Sequence, residues 1–223
     1  MPSPIVVFDL DGTLADTAGD LIGTLNLILE EEGLEPVPLK SARDLIGAGA
    51  KALIARGFAA SGRDLTPQHH EDLFHRFLDL YQHHLADSSV LFPGVADALG
   101  QLTAAGCTLA VCTNKVERHA VMLLEALDAA ERFAIITGRD TFAFHKPDPR
   151  HLTETITRAG GDARRAVMVG DSRTDIDTAK AAGIPVIAVP FGYTDTPVAE
   201  LDPDLVIEHF DRLPGAVRAL GLI

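Results

Sequence analysis

Residues 5–13 read IVVFDLDGT, an uninterrupted apolar segment that leads directly into two aspartates. An apolar run without alternation, rich in valine and isoleucine, is typical of a parallel strand that is buried on both faces. In extended backbone, residues two apart face the same side, so Asp9 and Asp11 are expected to share a target. Two carboxylates this close repel each other unless a cation lies beside them. The stretch therefore predicts a buried strand that ends at a cation site.

Four more short apolar segments follow along the chain, each leading into a turn and a stretch with helical periodicity. They span residues 107–114, 133–138, 166–171 and 185–190. Alternating strands and helices predict an α/β protein with a doubly wound, Rossmann-like parallel sheet. Cys107 and Cys112 lie in the first of these segments, where we expect reduced thiols packed in the core.

The segment from residue 16 to residue 86 interrupts this alternation, because it has helical spacing and no convincing strand. Within it, Thr66 followed by Pro67 is typical of a helix N-cap and a first helical turn. We therefore predict that an α-helical cap domain, residues 16–86, is inserted into an α/β core. The core then comprises residues 1–15 and 87–223.

The composition indicates which partners to expect. The 223 residues are 47% hydrophobic and carry a formal net charge of −13. Nucleic acids and anionic membrane surfaces favour basic patches, so we expect neither as a partner. The segment after Met1 lacks a basic stretch followed by a long apolar run, and a cytoplasmic location is therefore expected. Monomer and homodimer both remain open.

Polar residues follow several of the predicted strands, at the ends where ligands bind to open parallel sheets. We expect the following side chains to meet at one edge: Asp9, Asp11, Thr113, Asn114, Lys146, Asp171 and Asp175. Clustered oxygen ligands of this kind suit Mg²⁺. The cation and Lys146 would form a local positive charge that attracts a phosphoryl group to an otherwise acidic protein.

The pair of aspartates also indicates a reaction. A carboxylate can attack phosphorus and form an aspartyl-phosphate, and Asp9 at the strand tip is the candidate nucleophile. Asp11 can protonate the leaving group and then deprotonate the attacking water. The hydroxyl of Thr113 and backbone N–H groups after Asp9, with Gly12 among the candidates, would donate to the substrate phosphate.

Four segments resemble, in order, the four motifs of the haloacid dehalogenase-like phosphohydrolases. They are DLDGTLADT (9–17), CTNK (112–115), KPDP (146–149) and GDSRTDIDTAKAAG (170–183). The helical insertion resembles that family's cap. The segments DLIGAGAKALIARGF (44–58) and FGYTD (191–195) are similar to those of bacterial phosphoglycolate phosphatases. The resemblance implies a Mg²⁺-dependent phosphomonoesterase that acts on a small phosphorylated metabolite, with 2-phosphoglycolate as the leading substrate.

The resemblance also implies roles for the acidic residues. Asp9 would be the nucleophile and a metal ligand. Asp11 would be the acid–base group and would bind the metal through its backbone carbonyl. Asp171 would be a further metal ligand, whereas Asp175 would support the site without touching the ion.

The remaining candidates concern substrate binding. By resemblance, Thr113 and Asn114 bind the phosphate, and Lys146 steadies both the nucleophile and the phosphate. In the predicted cap, Arg43 and Lys51 flank a glycine-rich stretch, and either could bind a substrate carboxylate.

Other activities remain compatible with the same motifs. They include a pyrophosphatase, a nucleotidase, a sugar phosphatase, a phosphosugar mutase and, in a different class, a non-catalytic phosphate-binding regulatory protein. Lys115, next to the predicted phosphate-binding residues, is expected to be a surface residue in the first turn of a helix.

Overall fold

The computed structural model describes residues 3–39, 46, 49–194 and 196–223. Its strands are, in chain order, β1 (Ile5–Phe8), β2 (Ala15–Asp16), β3 (Val90–Leu91), β4 (Thr108–Cys112), β5 (Ile135–Thr137), β6 (Ala166–Gly170), β7 (Val186–Ala188) and β8 (Leu205–Val206). Its helices are α1 (Ala18–Glu31), α2 (Ala50–Ala60), α3 (Pro67–His84), α4 (Val95–Ala104), α5 (Glu117–Ala126), α6 (Pro149–Arg158), α7 (Arg173–Ala182) and α8 (Leu213–Ala219).

Within the described residues, six strands form one parallel sheet in the order β5-β4-β1-β6-β7-β8. The register places Val7 of β1 opposite Ala110 of β4 on one side and Met168 of β6 on the other. The five strands predicted from apolar segments are confirmed. Strand β8 was not predicted, because two residues are too few to give a recognisable pattern.

Helices cover both faces of the sheet, which confirms the doubly wound arrangement. Ile5 and Val7 pack on the face covered by α6 and α7, whereas Val6 and Phe8 pack on the face covered by α4, α5 and α8. All four side chains are fully buried. Each contributes about 1.5–3 kcal/mol through burial, which explains why this strand carries no polar residue before Asp9.

Among the described residues, helices α1, α2 and α3 lie between β2 and β3, two short antiparallel strands that pair with each other. The predicted N-cap is confirmed, because the side chain of Thr66 accepts a hydrogen bond from the backbone N–H of His69. The apolar stripe of α3, which includes Phe77 and Tyr81, belongs to the same apolar cluster as one face of the sheet. An inserted helical region is thus confirmed, while its limits at residues 16 and 86 stay a prediction.

Asp20 joins the two ends of this helical insertion. It lies in the first turn of α1 and is buried. Its carboxylate accepts hydrogen bonds from the hydroxyls of Ser88 and Ser89, each at 2.6 Å, and from their backbone N–H groups at 2.9 Å. The return linker before β3 is therefore tied to the start of the first helix.

Two further observations concern the cysteines of the core and the length and hydropathy of the helices. Cys107 and Cys112 are both buried and unbridged, as predicted. Burial raises the pKa of the Cys112 thiol to about 12, so this sulfur stays protonated and acts as an apolar packing group. None of the described helices is long and apolar enough to cross a membrane.

Candidate active site

The site lies where the order of strands reverses. The chain passes from β1 to β4 and β5 on one side, and then continues from β6 to β7 and β8 on the other side of β1. The loops that follow these neighbouring strands carry Asp9 and Asp11 after β1, Thr113 after β4 and Asp171 after β6. This is the position at which open α/β sheets bind ligands.

Three buried carboxylates meet at this position. Asp9, Asp171 and Asp175 each have a carboxylate oxygen within 4.8 Å of the others. Burial raises the pKa of Asp9 to about 6, even though Lys146 works to lower it. Burial, together with the charges of Asp175 and Asp9, raises the pKa of Asp171 well above its ordinary value. The site thus concentrates negative charge where water does not screen it.

Lys146 is the cation inside this cluster. Its ammonium lies 2.9 Å from Asp9 Oδ1 and 2.5 Å from Asp175 Oδ1, and it is buried. Burial disfavours the ammonium form, but the charges of Asp175 and Asp9 outweigh this effect and raise the pKa of Lys146 above its usual range. One ammonium against three carboxylates leaves an excess of negative charge. The hard oxygen donors and this excess charge fit a divalent cation.

Asp171 is positioned by two donors from distant parts of the chain. The hydroxyl of Thr13 donates to Oδ1 at 2.8 Å, and the backbone N–H of Tyr193 donates to Oδ2 at 2.6 Å. Gly12 lies against the same carboxylate with a φ of +84°, and a Cβ there would stand 2.5 Å from Asp171 Oδ2. The backbone N–H of Gly12 bonds to the carbonyl of Ala15. Gly12 therefore makes room for Asp171, and its N–H is already used within the turn.

Asp175 has most of its hydrogen-bonding capacity taken by the protein. Its Oδ2 accepts from the backbone N–H and the hydroxyl of Ser172, which form a capping box at the start of α7. Its Oδ1 pairs with Lys146. Asp175 is therefore better suited to orienting Lys146 than to binding a ligand directly.

Asp11 lies beside the cluster and has its own partners. Its carboxylate accepts from the hydroxyl of Thr17 at 2.8 Å and pairs with the ammonium of Lys115 at 2.9 Å. The same ammonium lies 2.8 Å from the hydroxyl of Tyr81 on α3. The expectation that Lys115 is a surface residue is therefore wrong: its side chain is 5% exposed. Burial works to lower the pKa of Lys115, but the negative charge of Asp11 outweighs this effect and raises the pKa above its usual range.

Thr113 and Asn114 lie at the end of β4, beside Asp9. The Thr113 hydroxyl accepts from the backbone N–H of Lys115 at 3.2 Å, which leaves its proton free to donate. The Asn114 amide donates to the carbonyl of Lys146 at 3.0 Å and so holds the Lys146 loop in place. The Asn114 Oδ1 is buried and has no hydrogen-bond partner among the described residues.

The structure describes one of the two cap candidates for substrate binding, Lys51. Lys51 pairs with Glu71 at 2.5 Å, and its ammonium lies 4.7 Å from the ring centre of Phe74. It does not line the pocket that contains Asp9. Arg43 lies outside the described residues. The structure thus gives Lys51 a role inside the helical insertion.

Several residues of the site were missed from the sequence. Thr13 and Tyr193 donate hydrogen bonds to Asp171, and Tyr81 bonds to Lys115. The sequence around each of the three shows no pattern that predicts a site residue. Lys115 could have been found from its position directly after Thr113 and Asn114, since a strand-end residue faces the same edge as its neighbours. The other three required the folded arrangement.

The chain is similar to known proteins over most of its length. The haloacid dehalogenase-like hydrolase family profile matches residues 6–189. A phosphoglycolate phosphatase from Mesorhizobium japonicum is 54% identical over 213 residues, covering 96% of this chain and 94% of the relative. A crystal structure described as a predicted phosphoglycolate phosphatase from Haemophilus somnus superposes with a TM-score of 0.89 at 29% identity, covering 96% and 97% of the two chains.

A second solved structure that is similar to this chain is a complex with phosphate. CbbY from Rhodobacter sphaeroides, in complex with phosphate, has a TM-score of 0.79 to this chain at 27% identity, and 96% of each chain is covered. The match of the family profile to most of the chain, the strand order and the buried carboxylates lead to one conclusion. The chain belongs to the haloacid dehalogenase-like hydrolase family.

Proposed function

We propose that this protein hydrolyses 2-phosphoglycolate to glycolate and phosphate. The support is that acidic residues from separate strand ends converge with one buried lysine, in a chain 54% identical to a phosphoglycolate phosphatase. A small phosphorylated metabolite also fits a pocket whose walls combine these charged residues with apolar side chains such as Leu21 and Leu53.

The proposed chemistry uses the two aspartates of the first strand end in different roles. Asp9 attacks phosphorus and forms an aspartyl-phosphate, while the bond from phosphorus to the glycolate oxygen breaks. Asp11 enters the cycle as the protonated acid and gives its proton to that oxygen as it leaves. In the second step Asp11 takes a proton from water, the water oxygen bonds to phosphorus, and the bond to Asp9 breaks. Inorganic phosphate and free Asp9 result.

The surrounding residues bind and neutralise the phosphoryl group. The hydroxyl of Thr113 donates to a phosphate oxygen, and Asn114 holds both the phosphate and the Lys146 loop. Lys146 offsets the charge that Asp9 brings close to an anionic substrate. Lys146 is also paired with Asp175, which holds its ammonium beside Asp9.

A bound Mg²⁺ would neutralise phosphate charge and offset the repulsion among the carboxylates. Asp9, the backbone carbonyl of Asp11 and Asp171 would hold it. The buried oxygen cluster supports a divalent cation of this kind, since Asp171 has a strongly raised pKa without one. Asp175 would keep Lys146 in place without touching the ion.

The helical insertion, residues 16–86, would act as a cap over the site. Tyr81 on α3 and Gly49 at the start of α2 both line the pocket beside Asp11 and Asn114. Closing these elements over the substrate would exclude water from the aspartyl-phosphate until the leaving group has departed.

A panel of phosphorylated metabolites, ranked by kcat/KM from phosphate release, tests the proposal. The panel includes 2-phosphoglycolate, inorganic pyrophosphate, nucleoside monophosphates and sugar phosphates, each assayed with Mg²⁺ and with excess EDTA. We expect the highest kcat/KM for 2-phosphoglycolate and loss of release with EDTA. A higher value for another substrate would replace the proposed substrate. Absence of turnover with every substrate would favour a phosphate-binding protein.

A further inference from the structure

Arg139 is a charged pocket residue with no part in the chemistry described so far. It follows β5 by two residues, and its backbone N–H donates to the carbonyl of Lys115 at 2.9 Å. Gly138 permits this close approach, because a Cβ at that position would lie 2.7 Å from the same carbonyl. The start of the Arg139 side chain is thereby fixed against the loop that carries Thr113 and Asn114.

The guanidinium of Arg139 reaches from the sheet to the helical insertion. Its central carbon lies 5.7 Å from the ring centre of Phe74 on α3, within cation–π range. A Cβ placed on Gly49 would stand 3.5 Å from Arg139 Nη1 and 3.3 Å from the carbonyl oxygen of Asn114. The Arg139 guanidinium and the Asn114 carbonyl oxygen, which belongs to the proposed phosphate-binding loop, therefore both lie within 4 Å of the same point beside Gly49.

Arg139 differs from the other cations of this pocket in its pairing. Lys115 is paired with Asp11, and Lys146 with Asp9. Among the described residues, no carboxylate lies within ion-pair distance of the Arg139 guanidinium. The carboxylate of the adjacent Asp140 does not pair with Arg139 but accepts a hydrogen bond from the backbone N–H of Glu117 at the start of α5.

A guanidinium that has no acidic partner among the described residues, in a chain of net charge −13, is suited to a second anionic group on the ligand. Its fork of N–H donors matches a carboxylate, to which it can donate two parallel hydrogen bonds. Much of the nearby pocket wall is apolar, with Leu53, Phe74 and Phe77 lining it. An apolar wall offers a carboxylate no alternative donor.

We infer that Arg139 binds the carboxylate of the substrate and so makes the enzyme selective for phosphorylated acids over uncharged phosphate esters. The inference rests on the proposed function, because it takes 2-phosphoglycolate as the substrate. With the phosphate at Asp9 and Thr113, a two-carbon acid needs its second anion site only a few atoms away. Arg139 offers such a site beside Asn114.

The experiment compares two substrates that differ only at the proposed contact. The first is 2-phosphoglycolate, and the second is 2-hydroxyethyl phosphate, in which an uncharged hydroxymethyl group replaces the carboxylate. We expect Arg139→Gln to lower kcat/KM for 2-phosphoglycolate by about 100-fold, because a charge-assisted, paired hydrogen bond is lost. For 2-hydroxyethyl phosphate the expected change is below about threefold, since no group contacts the arginine there.

Two further variants keep the result interpretable. Arg139→Lys retains the charge but not the paired donors, and is expected to fall between wild type and Arg139→Gln with 2-phosphoglycolate. Arg164→Gln removes an exposed arginine that pairs with Asp162, and should match wild type on both substrates. Thermal melting of each variant shows whether the fold is retained.

The outcomes separate this inference from the proposed function. If wild type does not prefer 2-phosphoglycolate, the proposed function fails and the inference fails with it. If wild type prefers it and both Arg139 variants keep the same preference, only the inference is overturned. An equal loss on both substrates in both variants would also overturn it, because Arg139 would then act through the shape of the site.

Discussion

Lys115 and Asp11 form a nearly buried ion pair, with the ammonium 2.9 Å and 3.2 Å from the two carboxylate oxygens. The ammonium also bonds to the hydroxyl of Tyr81 and lies 4.4 Å from the centre of its ring. Lys115 belongs to the sheet edge, whereas Tyr81 belongs to the helical insertion. One lysine therefore orients the proposed acid–base residue and connects it to the proposed cap.

Replacing Lys115 tests this connection. We expect Lys115→Met to lower kcat for 2-phosphoglycolate by about 10–100-fold, because Asp11 loses the partner that fixes its orientation. The free energy of unfolding should fall by about 1–3 kcal/mol, since a largely buried carboxylate loses its ammonium. Kinetics and urea denaturation measure the two effects. Lys180→Met, which removes an exposed pair with Asp202, is the matched control and should change neither quantity appreciably. Wild-type kcat in Lys115→Met would contradict the orienting role.

The nucleophile prediction concerns Asp9. Asp9→Asn should reduce phosphate release by at least about 1,000-fold, because an amide does not form the aspartyl-phosphate. Circular dichroism and thermal melting should show a retained fold, since the amide has nearly the same shape. Asp79→Asn, on the exposed face of α3, controls for the substitution itself. Substantial turnover by Asp9→Asn would remove Asp9 from the nucleophilic role.

Metal binding can be followed without activity. In the absence of metal, Asp171→Asn should raise Tm by about 2–4 °C, the change that roughly 1 kcal/mol produces in a chain of this size. The reason is that burial and neighbouring carboxylates destabilise the Asp171 charge, as its raised pKa indicates. Adding MgCl₂ should raise the Tm of wild type and leave that of Asp171→Asn unchanged. Equal stabilisation of both proteins by Mg²⁺ would place the ion elsewhere.

His119 predicts a dependence of stability on pH. Burial, with the nearby Lys115 and Arg118, lowers the pKa of His119 from 6.5 to about 4. The unfolded chain therefore binds this proton at higher pH than the folded chain, and stability is lost as pH falls from about 6.5 to about 4. Urea denaturation of His119→Gln should show a smaller loss over this range. His75→Gln, an exposed control, should keep the wild-type pH dependence. A wild-type slope in His119→Gln would contradict the assignment.

Asp20 predicts an effect on stability far from the proposed chemistry. Burial works to raise the pKa of Asp20, but hydrogen bonds from Ser88 and Ser89 outweigh it and lower this pKa. Asp20→Ala leaves those donors without an acceptor and should cost about 2–4 kcal/mol of unfolding free energy. Urea denaturation measures this cost, with Asp79→Ala as the exposed control. A loss below about 0.5 kcal/mol would show that water replaces the carboxylate.

The sequence allowed the main strands to be predicted because each is a continuous apolar segment. Strands β2, β3 and β8 are two residues long and leave no such pattern. The Thr66 cap was readable because it is a local hydrogen bond. The contact between Asp20 and Ser88 spans 68 positions along the chain and has no local signal.

For the site, the residue types at the strand ends were sufficient to predict which acids converge. They were not sufficient to predict how each side chain is paired. Lys115 was expected at the surface and is buried against Asp11, whereas Lys51, one of the candidates for binding a substrate carboxylate, pairs with Glu71. No local sequence pattern predicted a binding role for Arg139. Each of these outcomes depends on side chains contributed by segments distant in the chain.

The layered α/β fold and the set of acidic residues at one edge of the sheet are predictable from the order of the amino acids. The reason is that apolar periodicity and strand-end position are local properties of the chain. Which cation neutralises which carboxylate, and which cation is left for a ligand, follows from the folded arrangement alone. Pairing depends on distances of a few ångströms between residues as far apart along the chain as Asp9 and Lys146, and only packing sets such distances.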